Sequence, residues 1–390
     1  MATYDAAAPV TGVSRAPGAY WIAWVATVTF FAGFYALLVP LPRYLAEAGL
    51  PDWQIGLVLG AFGVASLVGR PVAGVAADRF GARNVMLFGA AALAIGALAV
   101  PATSSAGPLF VLRVLQALGY VAFTTAGTAL VVALVEPEER GRRLAVFGVA
   151  ANVAITVTPA LVSLLLAVAP TWAGLLAAGA LALLGGLLAS RLPTASTGGA
   201  SIAWSLPRRL WSATAATALL GAAFAAFFQF APILADRRGA LSPGLLYLVY
   251  GLAIIATRLV GGRLIDRLDV GRVVALAAGL TALGHALIAA TSGAAPLLVA
   301  PLLIAAGGGL FHPALIAHHA ALLPGAPGRA SAAFYLAFDL GIGAGSWLFG
   351  VALELTGLPG LYWSAAALSA AVLPLTPGLA GVAAGGRRQG

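Results

Sequence analysis

One carboxylate stands where an apolar chain has no ordinary use for it. Asp339, in "FYLAFDLGIGAGSW", lies eight residues into an apolar run that starts near residue 331, about 12 Å along a helix that rises 1.5 Å per residue. A carboxyl at that depth can alternate between neutral and charged forms as water reaches it from one side or the other, which proton coupling requires. Tyr335, Gly343 and Ser346 fall near its face at i−4, i+4 and i+7, and the small residues leave room for a cavity. The competing reading is a structural hydrogen bond to a neighbouring helix. Asn152 shares a face with Thr156 and Pro159 in another apolar run; its amide could bond a substrate or tie two helices together.

The remaining polar candidates are few. Arg113 comes early in its run with Gln116 one turn on, and a side chain of that length can snorkel. His312, His318 and His319 surround Pro313, and only His312 and His319, seven apart, share a face. A metal site wants more ligands at fixed geometry, so no metal or other cofactor is expected. His312 is a candidate for proton relay or substrate contact, with packing as the alternative. Phe30, Phe31, Phe34 and Tyr35 in one run, and Phe224, Phe227, Phe228 and Gln229 in another, suggest an apolar or amphipathic substrate surface. Tyr35 and Gln229 are its polar handles.

The elements that must hold these residues follow from composition. The 390 residues are 61% hydrophobic and 8% charged, where soluble domains are roughly a quarter charged. All 21 basic residues are arginine, and there is no cysteine, hence neither a disulfide nor a thiolate site. The net charge of +9 could suggest nucleic acid, but the arginines punctuate apolar runs instead of forming a patch, so no nucleic-acid partner is expected. No signal peptide is read at the start. A helix needs about 20 apolar residues to cross a bilayer, and twelve runs qualify: 18–41, 53–76, 84–103, 107–135, 144–168, 171–191, 210–234, 243–265, 272–291, 295–322, 331–354 and 358–378. They are continuous and do not alternate, which predicts helices and not barrel strands. With the N-terminus inside, fifteen arginines fall on the cytoplasmic side and three (Arg43, Arg237 and Arg238) outside; this asymmetry predicts that both termini are cytoplasmic.

The chain also repeats. In "GRPVAGVAADRFGARNV" (69–85) Arg70 precedes Asp78 by eight residues with Gly74 midway; in "TRLVGGRLIDRLDVGRVV" (257–274) Arg258 precedes Asp266 by eight with Gly262 midway. The offset is 188 residues, and Asn152 is the counterpart of Asp339 to within one residue. The predicted organisation is an all-α polytopic protein with a six-helix half at 1–191, a cytoplasmic Ser/Thr/Gly-rich linker at 192–209 and a second six-helix half at 210–390. Two such halves suit a transporter that rocks around a central site. No phosphate-binding loop, no His-Glu-x-x-His motif and no nucleophile with its base are present, so neither an ATP-driven pump nor an enzyme is expected.

"GVAADRFGAR" resembles the loop motif of the major facilitator superfamily, Gly-x-Leu-Ala-Asp-Arg-x-Gly-Arg-Lys, between the second and third helices. "RVLQALG" (113–119) resembles that family's helix-four motif, and "FDLGIGAGSWLFG" (338–350) resembles helix eleven of its drug/proton-antiporter and arabinose-efflux exporters. Asn84 and Ala117 depart from these patterns, and the helix-five antiporter motif survives only as "TPALV" (158–162). The resemblance implies a twelve-helix transporter, monomeric in a bacterial cytoplasmic membrane. It implies export of a small organic molecule against protons, and a cavity-facing Arg113 that aids proton transfer or holds an anion. Uptake by symport or uniport, or metallophore export, are the alternatives. The twinned loops are read as a latch. Asp78 would meet the positive end of helix eleven and Asp266 the start of helix five, with Arg70, Gly74, Arg79, Gly81, Arg83, Arg258, Gly262 and Arg267 around them. Arg79 and Arg83 complete a charge network across the halves, closed when the cytoplasmic side is shut.

Overall fold

A computed structural model describes residues 18–136, 139–194, 207–324 and 327–379. Arg15, Arg387, Arg388 and most of the expected linker lie outside the described residues, as do the side chains of Arg263 and Asp266.

Helices follow in order: α1 (Ala19–Ala36), α2 (Pro40–Glu47), α3 (Asp52–Phe80), α4 (Ala82–Leu98), α5 (Ala106–Leu134), α6 (Arg140–Leu165), α7 (Thr171–Ala189), α8 (Trp211–Arg238), α9 (Pro243–Arg267), α10 (Val270–Ala290), α11 (Ala294–Leu322) and α12 (Pro327–Ala370). Eleven helical stretches among the described residues are long and apolar enough to cross a membrane. The last holds two crossings. Its helix α12 runs 44 residues, far beyond a hydrocarbon core of about 30 Å at 1.5 Å per residue. It breaks at Gly357, whose φ of 69° and ψ of −169° suit a residue without a Cβ. Twelve crossings result, as the apolar runs predict. The boundaries shift: the first crossing takes in α1 and α2 as far as Glu47, and α12 starts four residues before the expected 331.

Within the first half α1 packs on α6 and α7, α3 on α5, and α4 on α5 and α7; in the second, α8 and α10 pack on α12, and α9 and α10 on α11. Two seams join the halves, α3 against α12 and α6 against α9. Glycines set how closely they meet. A Cβ at Gly63 would stand 2.8 Å from the Cα of Gly343, and one at Gly56 would stand 2.6 Å from that of Gly350. Side chains there would force the helices apart, so the small residues serve contact. On the other seam Gly251 packs on Thr156, and a Cβ at Gly244 would lie 2.9 Å from the Cα of Ala160.

The seams are tight toward the face opposite the termini. There Arg43 grips Asp236 through two bonds of 2.7 and 2.5 Å, Arg237 pairs with Asp52 at 2.5 Å, and the Asp52 amide donates to Glu354 at 2.8 Å. Each joins one half to the other. Toward the terminal face, where the end of the chain at Gly378 packs by Ser212, the seam helices diverge. Gly74 and Gly262 lie eleven residues beyond Gly63 and Gly251, a spacing that returns to the same helix face. A Cβ at either meets nothing within 4 Å. This structure is closed on the face opposite the termini.

Candidate functional site

The seam register decides which polar groups meet. From the Gly63–Gly343 crossing, seven residues along α3 reach Arg70 and four back along α12 reach Asp339. They form an ion pair: Nη2 and Nε of Arg70 stand 2.5 and 2.6 Å from Oδ2 of Asp339. The carboxylate side chain is 4% exposed and the guanidinium 15%, so the pair is buried between the halves. The Arg70 guanidinium also lies 5.0 Å from the centre of the Tyr335 ring. Ser66 on α3 stands beside the carboxylate, and Tyr120 on α5 is within electrostatic reach of both charges. A charge left alone in such a place costs several kcal/mol, while a paired one is close to neutral for stability.

The second seam repeats this register with a different chemistry. From the Gly251–Thr156 crossing, seven residues along α9 reach Arg258 and four back along α6 reach Asn152. No carboxylate among the described residues pairs with Arg258. Its charge reaches Tyr35, Tyr250, His312 and Tyr335. The Asn152 amide makes only a long 3.5 Å bond to the Gly148 carbonyl of its own helix, while its main-chain oxygen accepts from Thr156 at 2.6 Å.

Aromatic rings fill the space beside both arginines. In the first half Phe31, Phe34 and Phe62 surround Tyr120 at 5.8, 4.2 and 5.4 Å between centres, and Phe31 stacks on Tyr35 at 5.7 Å. In the second, Phe224 stacks on Phe228 at 3.8 Å and meets Phe338 at 5.3 Å, with Tyr250 edge-on to Phe228 at 4.8 Å. His312 is ringed by Phe334, Tyr335 and Phe338 at 4.9 to 5.9 Å. Tyr35, Tyr335, Asp339 and His312 are thus brought together, and Arg70 and Arg258 join them.

Other candidates lie elsewhere. Arg113 is buried inside the first half: it donates to Gln116 Oε1 at 3.1 Å, Gln116 donates to the Gly96 carbonyl at 2.8 Å, and Phe34 covers the guanidinium at 5.7 Å. Gln229 is buried on α8 without a side-chain hydrogen bond among the described residues. His319 bonds the Leu315 carbonyl at 2.8 Å, and no cluster of three metal-ligating side chains exists among the described residues. Gly343 and Ser346 do not open a cavity beside Asp339 as expected. Gly343 is the crossing point with Gly63, and Ser346 is buried, donating to the Ile342 carbonyl at 2.8 Å.

The expected latch is not assembled by its arginines in this structure. Arg83 donates to the Leu192 carbonyl at 3.3 Å, Arg79 lies 5.4 Å over Phe80, and Arg267 is exposed. The first two contacts stay within the first half, because the terminal face is the one where the seams diverge. Gly81, with φ 84°, makes the turn into α4, and Asp78 sits in the last turn of α3. Arg70 is a full two turns deeper than the loop and belongs to the buried pair. Sequence reasoning missed its partnership with Asp339, and also Tyr120, Tyr250 and Phe338. Tyr120, seven residues after Arg113 and so on its face, is the one with a readable periodic signal.

The family model described as "Major Facilitator Superfamily" matches residues 23–242 and 217–383. Among curated relatives, an uncharacterized transporter of Buchnera aphidicola is 30% identical over 127 residues, 32% of this chain and 32% of its own length. The chain thus spans about a third of that relative. The uncharacterized MFS-type transporter YhhS of Escherichia coli is 28% identical over 365 residues, 89% of each chain. Among solved structures, a variant of the nucleoside transporter NupG superposes with a TM-score of 0.80 at 14% identity, covering 92% of this chain and 99% of that one.

Proposed function

Because the chain belongs to the Major Facilitator Superfamily, we propose that it is a proton-coupled secondary transporter in which the Arg70–Asp339 pair couples protons to the movement of the halves. The observation that carries this reading is the buried ion pair across the α3–α12 seam, made while the face opposite the termini is closed. A guanidinium docks on a carboxylate, not on a neutral carboxylic acid. Entering this state therefore expels the proton from Asp339, and leaving it frees the carboxyl to take one up. With both termini cytoplasmic, as the arginine asymmetry favours, the proton is taken up from outside and released inside. The groups facing the carboxyl are Arg70 and Ser66 from α3, Tyr120 from α5 and Tyr335 from its own helix. None of the others is a second acid that could share the proton.

The transported species is a small, partly apolar organic molecule held among the aromatic rings, and the helix-eleven resemblance favours export from a bacterial cytoplasmic membrane by a monomer. The cytoplasmic loops act as the latch of the opposite state, with Asp78 at the start of α12. Uptake with the proton is the rival direction, and the same ion pair serves it. Proteoliposomes with an imposed pH gradient separate the two: export predicts that substrate efflux acidifies the cytoplasmic side, and symport that uptake does. Transport by Asp339→Asn with unaltered pH dependence removes the coupling role.

A further inference from the structure

The two seams match residue for residue, with one exchange. Gly63 and Gly251 correspond, as do Gly343 and Thr156, Gly56 and Gly244, and Arg70 and Arg258; where α12 carries Asp339, α6 carries Asn152. Among the described residues one arginine is therefore neutralised by a carboxylate and its twin is not. The chain has 12 carboxylates, and Asp339 alone lies in the middle of a crossing; the rest fall at helix ends, in loops or in the terminal tail. Arg258, which is exposed, thus has no carboxylate partner among the described residues. An arginine at such depth seeks an anion or water. Its surroundings suit an organic one: Tyr35, Tyr250, Tyr335 and His312 lie within electrostatic reach, offering hydroxyl and ring N–H donors and flat apolar walls.

We propose that Arg258 and Asn152 bind an anionic head group of the transported molecule, a carboxylate or phosphate on an aromatic or apolar body. The ligand completes on the second seam the ion pair that Asp339 completes on the first. Guanidinium forks take either oxyanion through paired hydrogen bonds, and the Asn152 amide adds a donor. Each half then contributes one residue to the head-group site, so binding draws the α6–α9 seam together. The proposal rests on the transporter reading but not on proton coupling.

The test is equilibrium binding to purified protein in lipid nanodiscs, with no gradient, using 2-naphthoate, 2-naphthyl phosphate and neutral 2-naphthamide. The wild type binds at least one anion about tenfold tighter than the amide, the worth of a charge-assisted bond. Arg258→Gln removes that preference while the amide's affinity stays within about twofold. Asn152→Asp, which installs the missing acid, removes it as well by pairing with Arg258. Comparing naphthoate with naphthyl phosphate assigns the head group. Equal affinity for anions and amide, no binding of any probe, or a preference that survives both substitutions overturns the proposal. A pH-independent Asp339→Asn leaves this result untouched and bears on coupling alone.

Discussion

Arg70 and Asp339 sit among rings and helix backbone, each compensating a charge that apolar surroundings would otherwise punish. Removing one partner of such a buried pair costs about 3–5 kcal/mol, whereas removing both together costs far less. Asp339→Asn and Arg70→Gln are therefore each expected to lower the melting temperature in detergent. The double variant should recover much of the loss, giving a coupling energy of about 2 kcal/mol or more in a double-mutant cycle. Additive losses would place the two side chains in separate environments. Asp339 was legible in the sequence because a lone carboxylate in an apolar run has few innocent explanations. Its partner was not, because Arg70 stands beside a charged loop and reads as part of it; the pairing across 269 residues exists only once the seam register is known. Arg113 misled in the opposite sense: its motif points to a cavity, and its guanidinium is spent on Gln116 and Phe34 inside one half.

At the scale of elements, the seams act through residues that have no side chain. Gly63→Leu or Gly343→Leu inserts bulk where a Cβ already stands 2.8 and 2.7 Å from opposing backbone, so either should separate α3 from α12 and abolish transport even where the protein folds. Gly74→Leu meets open space and should leave the melting temperature within about 2 °C, a surface-like effect of at most ~0.5 kcal/mol. It should nevertheless stop transport by blocking closure of the terminal face, and unimpaired transport would show that this face never closes there. By the same logic Asp78→Asn lowers transport and favours the state seen here, as accessibility labelling can report. The crossings and the twofold repeat were legible because continuous apolar runs and a 188-residue offset are linear patterns. The break at Gly357 was read only as a gap between runs, since the backbone torsion that makes it is not written in hydropathy.

For the whole molecule, this structure is one of two states, closed opposite the termini by Arg43–Asp236 and Arg237–Asp52. Exposed pairs contribute about 0–1 kcal/mol each, enough to tilt a balanced equilibrium without locking it. Asp52→Asn combined with Asp236→Asn should shift the population several-fold toward the other state, read as increased labelling on the face opposite the termini. The chain contains no cysteine, so an introduced thiol is the only one labelled. That property also permits the most direct test of coupling. With spin labels at Val72→Cys on α3 and Leu259→Cys on α9, both exposed and both on the terminal side of the seam crossings at Gly63 and Gly251, distances can be measured in nanodiscs from mildly alkaline to acidic pH. As pH falls, Asp339 takes up a proton, the pair with Arg70 is lost, and this state loses its seam contact. The distribution should move to shorter distances in the wild type and stay short at every pH in Asp339→Asn. A wild-type distribution that ignores pH, or an Asp339→Asn variant that follows it as the wild type does, would contradict proton coupling through this pair.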